Sequence, residues 1–381
     1  MTGSNLTVDT VLPYLLKRNL VSVAAIVEGD LEVVDAGRRN QNLKVLRRHG
    51  PSYLIKQPGE GERGTLATVR IEASFYEHCH GDQAAAEVRS VLPGFHSFDA
   101  ERDLMIIEFV EGRPLWGQHS AAPSPEILAE FAAPLGESIG TIHRVFRNPA
   151  WSSKQWFAGL PAVQPWIFGA HRPSPEIFAS ISRANLQVLK LLQDSALAER
   201  FDGLRAEWRS DTLIHNDLKG DNVLVLKGED GASHVRIVDW EMIQTGDAAW
   251  DVGSVFRDFL GYWLSSVPLS SDLTPEQMLE GASWPLEKLH PATRAFWNAY
   301  LNSVQLGAET HGSLLLRALG FAALRMAQAA YELGLGQQHP SNLAMAMLQL
   351  AANILTEPRT ASLHLFGIPV PWRPERAPSS H

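Results

Sequence analysis

Three side chains that suit phosphoryl chemistry, Asp217, Asn222 and Asp239, lie in one stretch of the chain. Asp217 and Asn222 lie in a polar loop between two short apolar runs, and Asp239 follows the next apolar run, 234–238. The glycines between the second and third runs suit a hairpin turn. If those runs pair as strands, Asn222 and Asp239 are brought close together.

This set of residues fits the transfer of a phosphoryl group. That reaction needs a cation that neutralises phosphate oxygens and a carboxylate that orients the attacking hydroxyl. Mg²⁺ prefers oxygen ligands and is usually held by one or two side chains together with phosphates and waters. Asn222 and Asp239 fit as its ligands. Asp217 fits as the base, since it lies five residues before Asn222 at the start of the same loop.

The motif His-x-Asp-x-x-x-x-Asn at 215–222, followed by an Asp at the end of a short strand, resembles the catalytic and metal loops of the protein-kinase-like fold. More narrowly, it is similar to the aminoglycoside phosphotransferase and choline kinase group. Ile-Val-Asp-Trp-Glu at 237–241 resembles the Ile-Asp-Trp-Glu segment of that group, and 246–251 resembles its Gly-Asp-x-x-x-Asp. Protein kinases usually have Asp-Phe-Gly and a later Ala-Pro-Glu, which this sequence lacks.

The resemblance implies an α+β, two-lobed protein-kinase-like fold. A β-rich nucleotide-binding lobe is expected over residues 1–110, and a mainly helical lobe with the catalytic loop and the acceptor site over 111–381. Lys56 is similar to the strand lysine that grips the α and β phosphates of the nucleotide. Glu72 is its expected partner on the following helix, with Glu77 as the alternative.

Further nucleotide-binding residues are implied by the same resemblance. Arg38 and Asn40 lie where a loop covers the phosphates, although a plain hairpin turn fits that segment equally well. Glu108 and Val110 lie in the expected linker between the lobes, where backbone groups would bind the adenine edge. Lys219 is similar in position to a lysine that contacts the γ-phosphate.

Four positions in and near the motif have further expected roles. Glu241 replaces the second Asp of an Asp-x-Asp form, and it would join Asn222 and Asp239 as a metal ligand. Asn216 stands where aminoglycoside enzymes commonly have Gly, and Asn tolerates the backbone angles that Gly would permit. His215 and Asp251 are expected to be structural, with the carboxylate of Asp251 binding loop amides.

Composition excludes several classes of protein. Hydrophobic residues make up 45% and charged residues 20% of the 381, which is ordinary globular usage. A net charge of −9 disfavours sequence-independent nucleic-acid binding and a polybasic membrane contact. One cysteine, Cys79, rules out an intrachain disulfide and fits a reducing compartment. The polar N-terminus lacks signal-peptide features, so we expect a cytoplasmic protein.

The expected function is therefore an Mg²⁺-dependent transfer of the γ-phosphate of ATP or GTP to a hydroxyl of an aminoglycoside-, choline- or sugar-like molecule. A cationic acceptor is suggested by the net charge and by Trp151, Trp156 and Trp166, because aromatic rings bind ammonium groups. Two alternatives are a nucleotide-binding scaffold without catalysis and a kinase acting on protein side chains. The first is disfavoured because the expected site is complete, and the second because the activation-segment signature is missing.

Overall fold

The computed structural model describes residues 5–37, 40–59, 63–115, 124–179, 181–228, 231–270 and 272–370. The chain forms two compact units, each built from separate stretches of sequence. Unit 1 comprises Met1–Leu115, Asn148–Pro161 and Asp221–Gln244. Unit 2 comprises Trp116–Arg147, Ala162–Gly220 and Thr245–His381. The expected functional division into lobes 1–110 and 111–381 stays a prediction.

Most of the β-structure lies in unit 1. The strands are, in chain order, β1 (Leu31–Asp35), β2 (Gln41–Arg47), β3 (Tyr53–Gln57), β4 (Phe95–Asp99), β5 (Leu104–Glu108), β6 (Arg113–Pro114), β7 (Thr212–Ile214), β8 (Val223–Lys227), β9 (Ser233–Ile237) and β10 (Gln244–Gly246). Strand β7 belongs to unit 2, and β10 begins at the last residue of unit 1.

Most of the helical structure lies in unit 2. The α-helices are α1 (Val8–Lys17), α2 (Val23–Val27), α3 (Arg63–Gly81), α4 (Pro125–Phe146), α5 (Gln155–Ala158), α6 (Arg183–Leu192), α7 (Ser195–Glu207), α8 (Ala248–Ser265), α9 (Pro275–Glu280), α10 (His290–Val304), α11 (Ala308–Leu333), α12 (Asn342–Thr356) and α13 (Pro358–Phe366). Within the described residues, none of these helices combines the length and apolar character needed to span a membrane.

A five-stranded antiparallel sheet in the order β1-β2-β3-β5-β4 forms the centre of unit 1. Strand β5 is buried over four of its five residues, whereas β2 alternates buried and more exposed residues, as a strand with one face on a core does. In β2, Leu43 and Val45 are buried while Lys44 between them is partly exposed. Further packing comes from α1, whose Val11 and Leu15 join the same apolar core. The sheet thereby holds β3, which carries Lys56, in a fixed register.

A second, three-stranded sheet of unit 1 has the order β6-β8-β9. Strands β8 and β9 form the antiparallel hairpin expected from the sequence, with Val223 opposite Ile237. The backbone N–H of Val238 donates to the carbonyl oxygen of Asn222 at 2.9 Å, which extends the pairing past the strand ends. The residues that immediately precede β8 and follow β9 are therefore fixed against each other.

Close packing of α4 against α10 organises unit 2. Gly140 of α4 lies where a Cβ atom would be 2.7 Å from the carbonyl oxygen of Tyr300. A side chain at this position would therefore force the two helices apart. The glycine that weakens the helical pattern of α4 in the sequence is thus explained by a helix–helix contact.

Most of the elements predicted from the sequence are present. The β-rich N-terminal part, the helix over 69–79 and the apolar strand from Leu104 are confirmed. The sequence predicts helical structure over 177–201; the structure has two helices there, α6 and α7, which are separated at Gln193 and Asp194, and Asp194 caps α7. Helices α1 and α2 were not predicted from the sequence.

Candidate active site

A buried ion-paired cluster in unit 1 joins β3, α3 and the segment after β9. The Nζ atom of Lys56 donates to both carboxylate oxygens of Glu72 at 2.8 Å and to Oδ1 of Asp239 at 2.7 Å. Lys56 is 3% and Glu72 0% exposed, so neither charge is solvated by bulk water. Glu77, the alternative partner, is exposed on the same helix. Lys56 is therefore paired with Glu72.

Electrostatics keep this lysine charged. Burial on its own lowers the pKa of Lys56, but the carboxylates of Glu72 and Asp239 outweigh burial and the pKa is raised. Burial raises the pKa of Glu72 to about 7, with the ammonium of Lys56 opposing that shift. The backbone N–H of Trp240 also donates to Oε1 of Glu72 at 3.1 Å. The cluster thus presents a fixed cation beside one partly exposed carboxylate, that of Asp239.

Asn222 directly precedes β8, and Asp239 lies two residues after the end of β9, so both are at the open end of this hairpin. Asp239 has φ +65° and ψ +58°, the left-handed region, which turns the chain sharply after β9. Asp tolerates this conformation better than most residues do. The side chain of Asp239 is 39% exposed, whereas Asn222 is 5% exposed. The amide and carboxylate oxygens of this pair are the donor types that Mg²⁺ prefers.

Asn40 and Glu241, both singled out in the sequence, contact each other. The Nδ2 atom of Asn40 donates to Oε2 of Glu241 at 2.8 Å. The Oδ1 atom of Asn40 is buried and has no hydrogen-bond partner among the described residues. This contact fixes Glu241 to the segment after β1. An orphaned acceptor oxygen and a carboxylate beside it are compatible with a cation, so the oxygen-rich donor set of this unit fits Mg²⁺.

The remaining predicted nucleotide contacts of unit 1 are placed as follows. Arg38 lies outside the described residues. Glu108 ends β5, and its Oε2 atom accepts a hydrogen bond from the N–H of Gly94 at 2.8 Å. Val110 is buried, and its carbonyl oxygen accepts from the N–H of Gly112 at 2.9 Å. The side chain of Glu108 is therefore engaged in holding the turn before β4.

In unit 2, a buried carboxylate holds the loop that carries Asp217. Asp251, on α8, accepts backbone hydrogen bonds from His215 at 2.7 Å and from Asn216 at 3.1 Å. The Nε2 atom of His143 donates to it at 3.4 Å. Burial alone raises the pKa of Asp251, but these hydrogen bonds outweigh it and the pKa is lowered. Asp251 thus has the amide-binding contacts expected from the sequence.

Asn216 takes the backbone conformation for which glycine is usual. Its φ is +67°, in the left-handed region where Asn is several-fold enriched over other non-glycine residues. Its carbonyl oxygen accepts from the indole N–H of Trp250 at 3.4 Å. The next residue, Asp217, donates its backbone N–H to Nδ1 of His215 at 3.3 Å. These contacts define how the loop presents the Asp217 side chain.

Two cations flank the carboxylate of Asp217. The Nζ atom of Lys219 lies 2.6 Å from Oδ2, and Nη2 of Arg325, on α11, lies 3.7 Å from Oδ1. Arg325 was not identified as a site residue from the sequence. The sequence feature that could have indicated a role for Arg325 is its position as a charged residue in the most apolar helical segment. A buried charge is costly unless another group compensates it.

Asp258, which the sequence offers as one possible acidic contact for an acceptor, binds the backbone of the loop that carries Asp217. Its Oδ2 atom accepts from the backbone N–H of Gly220 at 2.7 Å, and its Oδ1 atom pairs with Arg257. Burial raises the pKa of Asp258, with Arg257 opposing. Asp251 and Asp258, both on α8, therefore hold the two ends of the loop that carries Asp217.

The three tryptophans considered for an acceptor pocket lie in different units. Trp151 is buried, and Trp156 stacks on His78 with ring centroids 4.8 Å apart, both within unit 1. Trp166 belongs to unit 2, is 46% exposed and makes an edge contact with Tyr331. Trp151 and Trp156 thus have packing partners of their own.

Comparisons with known proteins identify the fold. No curated protein matches the chain by sequence. The sequence model of the APH phosphotransferase enzyme family matches residues 30–271. An ethanolamine kinase from Plasmodium vivax aligns with a TM-score of 0.54 at 16% identity, covering 94% of this chain and 92% of that chain. A choline kinase from Cryptosporidium parvum aligns with a TM-score of 0.51 at 15% identity, covering 91% and 96%. At such identities the likeness is one of fold, and it confirms the predicted α+β kinase-like class.

Proposed function

Because the chain belongs to the APH phosphotransferase enzyme family, we propose that it transfers the γ-phosphate of ATP or GTP to a hydroxyl group of a small molecule. The observation that carries this proposal is the cluster in which Lys56 binds both Glu72 and Asp239. A salt bridge on the surface would be weak evidence for a phosphate-binding site, because exposed ion pairs are solvated and contribute little. A lysine held by two carboxylates in a buried position keeps a charge where donor phosphates would need it.

The site residues of unit 1 are assigned to holding the donor. Lys56, positioned by Glu72, binds the α and β phosphates. Asn222 and Asp239 would hold Mg²⁺, with Glu241 as a further carboxylate. When bound, Mg²⁺ supplies positive charge to the phosphate oxygens. Asn40 contributes from the segment after β1, and backbone groups near Glu108 and Val110 bind the base.

Asp217 acts on the acceptor. Its carboxylate accepts the proton of the acceptor hydroxyl as that oxygen forms a bond to the γ-phosphorus. The bond from the γ-phosphorus to the bridging oxygen breaks, and the nucleoside diphosphate leaves with those electrons. Lys219, which now pairs with Asp217, is assigned to the transferred γ-phosphate. The hydrogen bonds from Asp251 and Asp258 keep the loop in place during this step.

The donor half of the proposal is tested by thermal unfolding with Mg·ATP, Mg·GTP, either nucleotide with chelator, or no ligand. A ligand at about 100 times its dissociation constant stabilises the folded protein by roughly 2.7 kcal/mol. We expect a Mg²⁺-dependent shift that Asp239→Asn greatly reduces. The matched control is Asp272→Asn, an exposed aspartate of unit 2.

The transfer half is tested by nucleoside diphosphate release over a panel of hydroxyl acceptors, including aminoglycosides, choline, ethanolamine and sugars. Acceptor-dependent release that Asp217→Asn abolishes supports the proposal. Absence of any nucleotide-dependent shift in wild type would contradict the roles of Lys56 and Asp239. Nucleotide binding without transfer to any acceptor would favour the scaffold alternative.

A further inference from the structure

Arg325 is a buried cation next to the carboxylate that we assign as the base. It is 5% exposed, and its guanidinium carbon lies 5.4 Å from the ring centroid of Trp250. Trp250 in turn donates to the carbonyl oxygen of Asn216, so the arginine and the catalytic loop share a support. The 3.7 Å separation between Nη2 of Arg325 and Oδ1 of Asp217 is an ion pair but exceeds hydrogen-bond length.

The hydrogen-bonding capacity of Arg325 is largely unused. A guanidinium carries five N–H donors. Nη1 donates to Oε1 of Gln328 at 2.9 Å, whereas Nε is buried without a partner among the described residues. Arg257 shows the same pattern, because it pairs with Asp258 while its Nε has no partner in the described part of the chain. Buried donors without a hydrogen-bond acceptor are costly, so two such groups together indicate a partner that the described part of the chain does not supply.

The charge around Asp217 favours an anion as that partner. Three cations, Lys219, Arg257 and Arg325, pair directly with two carboxylates, Asp217 and Asp258. A further carboxylate, that of Glu332, accepts from Gln328 and makes no ion pair with Arg325 among the described residues, although its charge also raises the pKa of Arg325. Burial, and then the neighbouring Arg257, lower the pKa of Arg325, so nearby negative charge would stabilise its charged form.

We infer that the acceptor carries an anionic group, a carboxylate or a phosphate, close to the hydroxyl that receives the phosphoryl group, and that Arg325, supported by Arg257, binds it. Guanidinium groups recognise both kinds of anion through paired N–H donors. This inference rests on the proposed function for its statement about the acceptor hydroxyl. It replaces the cationic acceptor suggested by net charge, because a cation beside Asp217 would meet Arg325.

The site is tested first by binding alone, so that the result does not depend on turnover. The full chain is titrated by calorimetry at constant ionic strength with glycerate, glycerol 3-phosphate, glycerol and choline. These probes all carry hydroxyl groups and differ in charge, and the first two separate a carboxylate from a phosphate. The variants are Arg325→Gln, Arg325→Lys and Lys56→Met, with Arg359→Gln as an exposed arginine control in the same unit.

We expect wild type to bind at least one of the two anions more tightly than glycerol or choline. Losing charge-assisted hydrogen bonds weakens binding by roughly ten-fold to a hundred-fold, so Arg325→Gln should show that loss while Lys56→Met and Arg359→Gln retain binding. Arg325→Lys keeps the charge without the planar donors and should be intermediate. Unfolding curves of each variant establish that it is folded.

Three results would overturn the inference. In the first, wild type binds the anionic and neutral probes equally. In the second, wild type binds choline most tightly. In the third, anion binding is lost in Lys56→Met but kept in Arg325→Gln. The last would assign the anion to the donor site. Acceptor-dependent turnover is then compared between sugars and their acid or phosphate derivatives. Anion binding that depends on Arg325 without any turnover would contradict the proposed function while keeping the anion site.

Discussion

The carboxylate of Asp251 accepts a 2.7 Å hydrogen bond from the backbone N–H of His215, which lies 36 residues earlier in the chain. A second backbone N–H, that of Asn216, binds the other carboxylate oxygen. One side chain of α8 thereby fixes two consecutive peptide groups immediately before the proposed base. The position of Asp217 depends on this contact as much as on its own hydrogen bonds.

Replacing Asp251 by asparagine should destabilise the fold and slow turnover. The amide –NH2 would meet N–H donors, and one carboxylate oxygen that now accepts would become a donor. Breaking one partner of a buried charged network costs about 3 kcal/mol or more. Urea unfolding measures the loss, and Asp272→Asn, at an exposed position, should leave the free energy of unfolding unchanged. Equal stability of the Asp251 variant and wild type would contradict this role.

The stabilisation by Asp251 should depend on pH in a defined direction. The pKa of Asp251 is lowered in the folded state, so the unfolded chain takes up this proton at a higher pH than the folded chain does. The contribution is therefore fully present above about pH 4, the ordinary range of an aspartate, and is lost as the pH falls through the folded value. Urea unfolding curves of wild type and Asp251→Asn should converge in acid. A difference that is constant with pH would contradict the assignment.

Glu72 and Glu77 give a matched pair on one helix for testing the donor site. Glu72→Gln removes the charge that holds Lys56 and leaves Asp239 as its single carboxylate partner, so KM for the nucleotide should rise by about ten-fold or more. Glu77→Gln, at an exposed position, should leave it unchanged. The measurement is initial-rate kinetics with the nucleotide varied. Equal effects of the two substitutions would show that Lys56 does not depend on Glu72.

The hairpin that brings Asn222 near Asp239 was predictable because its elements lie within a short stretch of sequence. Asn222 directly precedes β8 and Asp239 follows β9, so the pairing of these strands restricts where both residues lie. The catalytic roles of these residues and of Asp217 stay predictions. The short apolar runs in β2 and β3, the turn between them and the apolar run of β5 made part of the first sheet predictable as well, whereas β4 was not predicted.

Contacts between distant parts of the chain were not predictable in this way. Arg325 lies far along the chain from Asp217, and an arginine in an apolar helix indicates a buried charge without indicating its partner. The contact between Asp258 and the backbone N–H of Gly220 joins residues that are 38 positions apart, so no local pattern indicates it. The N-terminal helices α1 and α2 are short, and their local signals, the N-cap residues Thr7 and Ser22, were not used in the prediction.

Position 216 is expected to tolerate substitution by glycine better than substitution by alanine. The backbone of Asn216 has a φ of +67°. An alanine in this left-handed conformation is destabilised by roughly 1–2 kcal/mol, whereas glycine adopts it without that strain. Asn216→Gly should therefore keep a free energy of unfolding near that of wild type, and Asn216→Ala should lose about 1 kcal/mol. Chemical denaturation of the two variants is the measurement. A more stable alanine variant would mean that this loop residue is not held in the left-handed region.

Asp217→Asn is expected to lower turnover by about a hundred-fold to ten-thousand-fold, the usual contribution of a positioned general base. The amide keeps the shape of the side chain but cannot accept the hydroxyl proton, while Lys56, Asn222 and Asp239 are unchanged. Nucleotide affinity, measured by calorimetry, should therefore stay within error of wild type. Asp221→Asn, at an exposed position in the same motif, is the control and should retain full turnover. A turnover of Asp217→Asn equal to that of the control would remove Asp217 from the base role and leave proton transfer to solvent.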